Sequence, residues 1–151
     1  MMHLVRPVAA LMLALAACAA PAYAQDAAAL IALSEGLQDE AEARVEMLES
    51  GEALPASADD SFLVDTARFS ADIRAMAAHI DATDGPADLP CIFRGMADDA
   101  DARRTALEAD PANADDYRQL ARTFSHAVII AADVETEGPD TGFPPSCTAS
   151  Q

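Results

Sequence analysis

Between Phe62 and Ile80 a row of Phe62, Thr66, Phe69, Ile73, Met76 and Ile80, apolar at all but Thr66, runs in steps of 4, 3, 4, 3 and 4 residues. An α-helix turns through 100° per residue, so this spacing draws one narrow seam along a helix. A strand, with its period of two, would scatter the same side chains over both faces. Such a seam is buried most economically against other helices that carry seams of their own.

Three further stretches repeat the pattern. Leu30, Leu33, Leu37, Ala41, Val45 and Leu48 line one face from Asp26 to about Ser50, where Gly51 and then Pro55 supply a stop. A third stretch opens near Asp88, with Pro90 acceptable in a first turn, and carries Phe93, Met96, Ala100 and Leu107 beside Ala97 and Ala106. Its stripe is the weakest, because Arg103 lies on the expected path. Tyr117, Leu120, Phe124, Val128, Ala131 and Val134 form the fourth, stopped by Gly138-Pro139. Between them, Asp59, Asp60 and Ser61 offer N-caps, Asp84-Gly85-Pro86 reads as a turn, and Asp110-Pro111 with Asn113 marks a break and a new start. No segment of useful length alternates with period two, so strands are not expected. Four amphipathic helices with short connections predict an all-α, up-down-up-down four-helix bundle over residues 25–138, with an irregular tail over 139–151. At 151 residues the chain has room for one such domain.

The first 24 residues carry a different message. Arg6 precedes an apolar run from Val8 to Ala17, and Ala22-Tyr23-Ala24 follows Pro21. A cationic start, a short apolar segment and small residues before a cut make the pattern of a secretory signal peptide, with cleavage expected after Ala24. The run is about ten residues, half of what a membrane-spanning helix needs. Leu15-Ala16-Ala17-Cys18 also resembles the lipobox of bacterial lipoproteins, which implies lipidation at Cys18 as an alternative. Both routes end in the periplasm or outside the cell, one of them with a lipid anchor in the bacterial envelope. Either way Cys18 leaves the thiol pool. Cys91 and Cys147 remain, an even pair in an oxidising compartment, and a disulfide between them is expected. In the bundle topology the end of helix four and the start of helix three share a pole, which would bring the two together. Closing that loop would restrict the unfolded chain by roughly 4 kcal/mol.

Charge narrows the function. The chain has 26 acidic residues against 9 basic ones, all arginine, for a net charge of −17, and loss of Arg6 with the leader makes it −18. A field of that sign argues against nucleic acid and against polybasic attachment to anionic lipid. The most distinctive charged feature is a ladder on the first helix: Glu35, Asp39, Glu42, Glu46 and Glu49 step 4, 3, 4 and 3, opposite the Leu30/Leu37/Leu48 stripe. Like charges at that spacing weaken an isolated helix by a few tenths of a kcal/mol per pair, and Arg44 can offset only part of it, with Glu40 competing. Asp98, Asp99 and Asp101 form a second acidic knot without calcium-loop spacing, and Asp99 to Arg103 reads as an i,i+4 ion pair.

No catalytic spacing is found: there is no nucleophile elbow, no HExxH, no paired-cysteine zinc motif and no haem attachment sequence. The mature chain keeps His79 and His126, and no cofactor is expected. A non-enzymatic binding protein of inhibitor, immunity or chaperone type, meeting a basic protein partner through its acidic surface, fits these features best. The alternative is a periplasmic metal or haem carrier using methionine, histidine or Cys91 within the bundle. Ile129 and Ile130 lie off the fourth seam, to be covered by the tail through Phe143 or by another chain.

Overall fold

The structure is a computed structural model that describes residues 22–55, 60–83, 85–86 and 88–136. Four helices follow one another: α1 (Ala22–Ser50), α2 (Ser61–Ala82), α3 (Leu89–Ala109) and α4 (Ala114–Thr136). Each packs antiparallel to its neighbours in a four-helix bundle. Glu49 at the end of α1 meets Arg118 at the start of α4, Arg74 of α2 meets Asp98 of α3, and Arg103 of α3 meets Asp116 of α4. Contact is most extensive between α1 and α4 and between α2 and α3, so the bundle consists of two tight pairs joined along slighter seams.

The helix ends follow from local chemistry. At the end of α1, Glu52 N–H donates to the Met47 carbonyl at 2.8 Å and Gly51 N–H to Leu48 at 3.2 Å. This double closure requires a left-handed residue, and Gly51 supplies it at φ 78°. Asp60 caps α2 by accepting from Phe62 N–H at 3.0 Å. Proline in the first turn of α3 removes a donor that would have had no partner. Asn113 accepts from Asp115 N–H at 3.1 Å to start α4. The start of α1 differs from expectation, since the helix begins at Ala22, ahead of the expected cut after Ala24.

All six positions of the α2 seam are buried, as are Leu30, Leu37 and Ala41 of α1, Phe93, Ala97, Ala100 and Leu107 of α3, and Tyr117, Leu120, Phe124 and Ala131 of α4. In α3 the inward side chains alternate in size, with Ala97 and Ala100 fully buried between Phe93 and Leu107 and Met96 only partly buried. The largest fully buried side chains of the core are aromatic rings: Tyr117, Phe62, Phe69, Phe93 and Phe124. Phe124 stands edge-on to Phe69 at 4.9 Å between centroids and to Phe62 at 6.4 Å, and Phe62 tilts against Tyr117 at 5.5 Å. Each fully buried ring contributes about 1.5–3 kcal/mol, more than two alanines would. Ile130 packs partly against this core, whereas Ile129 is exposed. Phe143 and the rest of the tail lie outside the described residues.

The expected Cys91–Cys147 staple lies only half within the described residues, which include Cys91 but not Cys147. No disulfide joins any two described residues, because Cys91 is the one cysteine among them. Cys91 nevertheless has a partner and is no free thiol. Cys147 and Cys18 lie outside the described residues, so the cohesion that can be traced in this fold is that of helix packing and the ion pairs below. Among the described residues no helix is long and apolar enough to cross a membrane.

Candidate functional site

Two charged arrangements dominate, one on the outside of α1 and one inside the bundle. On the outside, Glu35, Asp39, Glu42, Glu46 and Glu49 are all exposed, as the helical arithmetic requires. They are not equivalent. Glu49 accepts from Arg118 at 2.6 Å, and Glu42 accepts from the Gln38 amide at 2.9 Å. Glu35, Asp39 and Glu46 make no ion pair with any described residue. The lower rung of the ladder is thus tied to α4, Glu42 is held within α1, and Glu35, Asp39 and Glu46 are left to solvent. Arg118 also binds Asp115 at 2.6 Å, and bonding to Glu49 and Asp115 raises its pKa above the ordinary arginine value.

Arg44, expected to temper the ladder, instead turns inward. It is 2% exposed and closes a two-pronged bond on Asp60, with Nη1–Oδ2 at 2.6 Å and Nη2–Oδ1 at 2.7 Å. Its Nε donates to Glu40 at 2.9 Å, and the guanidinium carbon lies 4.7 Å from the Phe62 ring centroid and 5.7 Å from that of Tyr117. Burial works against the charge, but the bonds to Asp60 and the neighbouring acceptors overcome it, so the pKa of Arg44 rises. Burial likewise pushes the Tyr117 hydroxyl above its usual value, against the pull of Arg44. Asp60 therefore has two tasks, capping α2 and holding the α1 guanidinium. The sequence offered Asp60 as a cap, but nothing in the hydropathy pattern marked Arg44 as a core residue.

The acidic knot on α3 is occupied by the protein's own cations. Arg74 binds Asp98 and Asp101, each at 2.8 Å, and Asp99 accepts from Arg103 at 3.3 Å and from Thr123 at 2.9 Å. The Asp99–Arg103 pair is the one expected from spacing. Arg103 reaches further, to Asp116 at 2.9 Å, which explains how an arginine is accommodated on the α3 stripe: it lies at the α3–α4 edge and bridges the two helices. His79 and His126 are both exposed. Among the described residues no group of three His, Cys, Asp or Glu side chains is arranged to hold a metal ion.

Compared with known protein families, curated proteins and solved structures, the chain matches none of them.

Proposed function

We propose that this chain is an exported, non-enzymatic binding protein that engages a basic protein partner through the α1 carboxylates. One observation carries the reading. Of the eight arginines among the described residues, seven are paired with carboxylates of the same chain, while Glu35, Asp39 and Glu46 are paired with none. The positive charge is used within the chain, and Glu35, Asp39, Glu42 and Glu46, none of them ion-paired with a described residue, are displayed together on the exposed face of α1. A field of this kind raises the encounter rate with a cationic surface and falls off as salt is added. An inhibitor, an immunity-type protein or a chaperone for basic clients would all use such a face.

The test is kinetic. A partner is first captured from envelope extract of the native host, and its association rate is then measured with wild-type protein and with the combined variant Glu35→Gln, Asp39→Asn, Glu42→Gln, Glu46→Gln. The variant should associate more slowly, with a flatter salt dependence. An unchanged rate at low salt would refute the proposal. Export, with cleavage after Ala24 or lipidation at Cys18, rests on the leader sequence, and mass spectrometry of the mature N-terminus distinguishes the two routes. A metal or haem carrier has weaker support, since Phe62, Phe69, Phe124 and Tyr117 pack ring against ring in the core.

A further inference from the structure

Beside the carboxylates, α1 and α4 leave an open groove between them, and its character refines the partner. The floor is apolar, made by Val45 of α1 and Ala121 of α4. Glu42 and Glu46 form one rim, and Arg118 and Arg122 form the other. The two rims differ in what they can offer a visitor. Arg118 is already held by Glu49 and Asp115, while Glu46 is not paired. Counting along α4 from Arg118 and Arg122 in steps of four, three and four residues leads through Ser125 to Ile129 on the same ridge. Ile129 is 56% exposed, so the apolar character of the groove continues past its end.

Resting on the binding reading above, we infer that the α1–α4 groove receives an amphipathic helix of the partner, basic on the flank over α1 and apolar along its centre line. Charge complementarity selects this occupant. Lysine or arginine at helical spacing would face Glu42 and Glu46, with Glu35 and Asp39 continuing the same row. An apolar side chain would sit over Val45 and Ala121, and another against Ile129. Arg122, which makes no ion pair with a described residue, sets the polarity: the flank over α4 must carry an acceptor rather than a cation. A uniformly basic segment would satisfy one rim and be repelled at the other. A helix that is basic on one flank and carries acceptors on the other satisfies both. Helix-in-groove docking of this kind draws affinity from the apolar line and orientation from the charged rims.

Two synthetic helical peptides of equal net charge test the inference: an amphipathic lysine/leucine peptide with one glutamate flank, and a lysine/alanine peptide without an apolar line. Binding is followed by fluorescence anisotropy at low salt. The amphipathic peptide should bind at least about tenfold more tightly. Its advantage should shrink in Ile129→Asp and in Glu42→Gln/Glu46→Gln, and should persist in Glu108→Gln, a remote exposed carboxylate on α3. In Arg122→Glu, where the glutamate flank would meet a carboxylate, the advantage of the amphipathic peptide should likewise shrink. Equal binding of the two peptides, or an equal loss in Glu108→Gln, would overturn the groove while leaving the acidic-face proposal standing. Failure of both peptides to bind at low salt would overturn the two together.

Discussion

Replacing Asp60 by alanine removes the carboxylate that, among the described residues, meets the buried Arg44 guanidinium with both oxygens. The structure sets the cost. Breaking a buried ion pair by deleting one partner leaves an uncompensated charge and typically costs about 3–5 kcal/mol. Loss of the cap on Phe62 N–H adds about 1 kcal/mol. Glu40 remains on Arg44 Nε, but its side chain is 51% exposed and offsets only part of the loss. A destabilisation of about 4 kcal/mol is expected, a large share of the roughly 5–15 kcal/mol by which a domain this size is stable. Asp60→Asn should be milder by about 1 kcal/mol, because the amide oxygen can still cap α2. The double variant Arg44→Met/Asp60→Ser keeps a cap, removes both charges and fills the site with an apolar chain, so it should recover most of the loss. Urea unfolding followed by helical circular dichroism reads all three, with an unchanged m-value certifying that the same fold is compared. A loss below about 1 kcal/mol for Asp60→Ala, or a double variant no more stable than that single variant, would refute the account of Arg44 as a buried charge dependent on Asp60.

Burial raises the Tyr117 pKa in the folded chain, so the unfolded chain releases this proton first as pH rises. Stability from this source is complete below pH of about 10 and is lost above it; Tyr117→Phe should flatten the decline in alkaline melts, with phenolate absorbance as the direct check. Gly36 and Gly95 lie in helices where an added Cβ meets nothing within 4 Å, so alanine at either should stabilise by about 0.5–1 kcal/mol in the same denaturation assay. At Gly85 a Cβ would come within 2.7 Å of the Ile80 side chain, itself 3% exposed, and alanine there should cost about 1–3 kcal/mol. Phe124→Ala opens a cavity between two edge-on ring contacts and should cost about 3–5 kcal/mol, read by thermal and urea melts.

The Asp99–Arg103 pair and the exposure of the α1 carboxylates could be foreseen because both depend on spacing within a single helix. The partners of those carboxylates could not. Glu49 finds Arg118 at a separation of 69 residues, and Asp99 finds Thr123 at 24. Each contact exists because two helices that are not linked by pattern happen to share an edge at the same height. Their adjacency also makes the α1–α4 groove, whose rims come from opposite ends of the chain.

The number of helices, their turn-forming breaks and the faces they bury were set by the sequence alone, since helical period, caps and glycine conformations act over a few neighbouring residues. Which helices press most closely, and which charges are drawn inside, was decided only by tertiary packing. Arg44 shows the reason most plainly. A guanidinium on the margin of an amphipathic helix belongs in water unless a carboxylate, two aromatic rings and the end of another helix surround it. No local rule announces that those groups will arrive together.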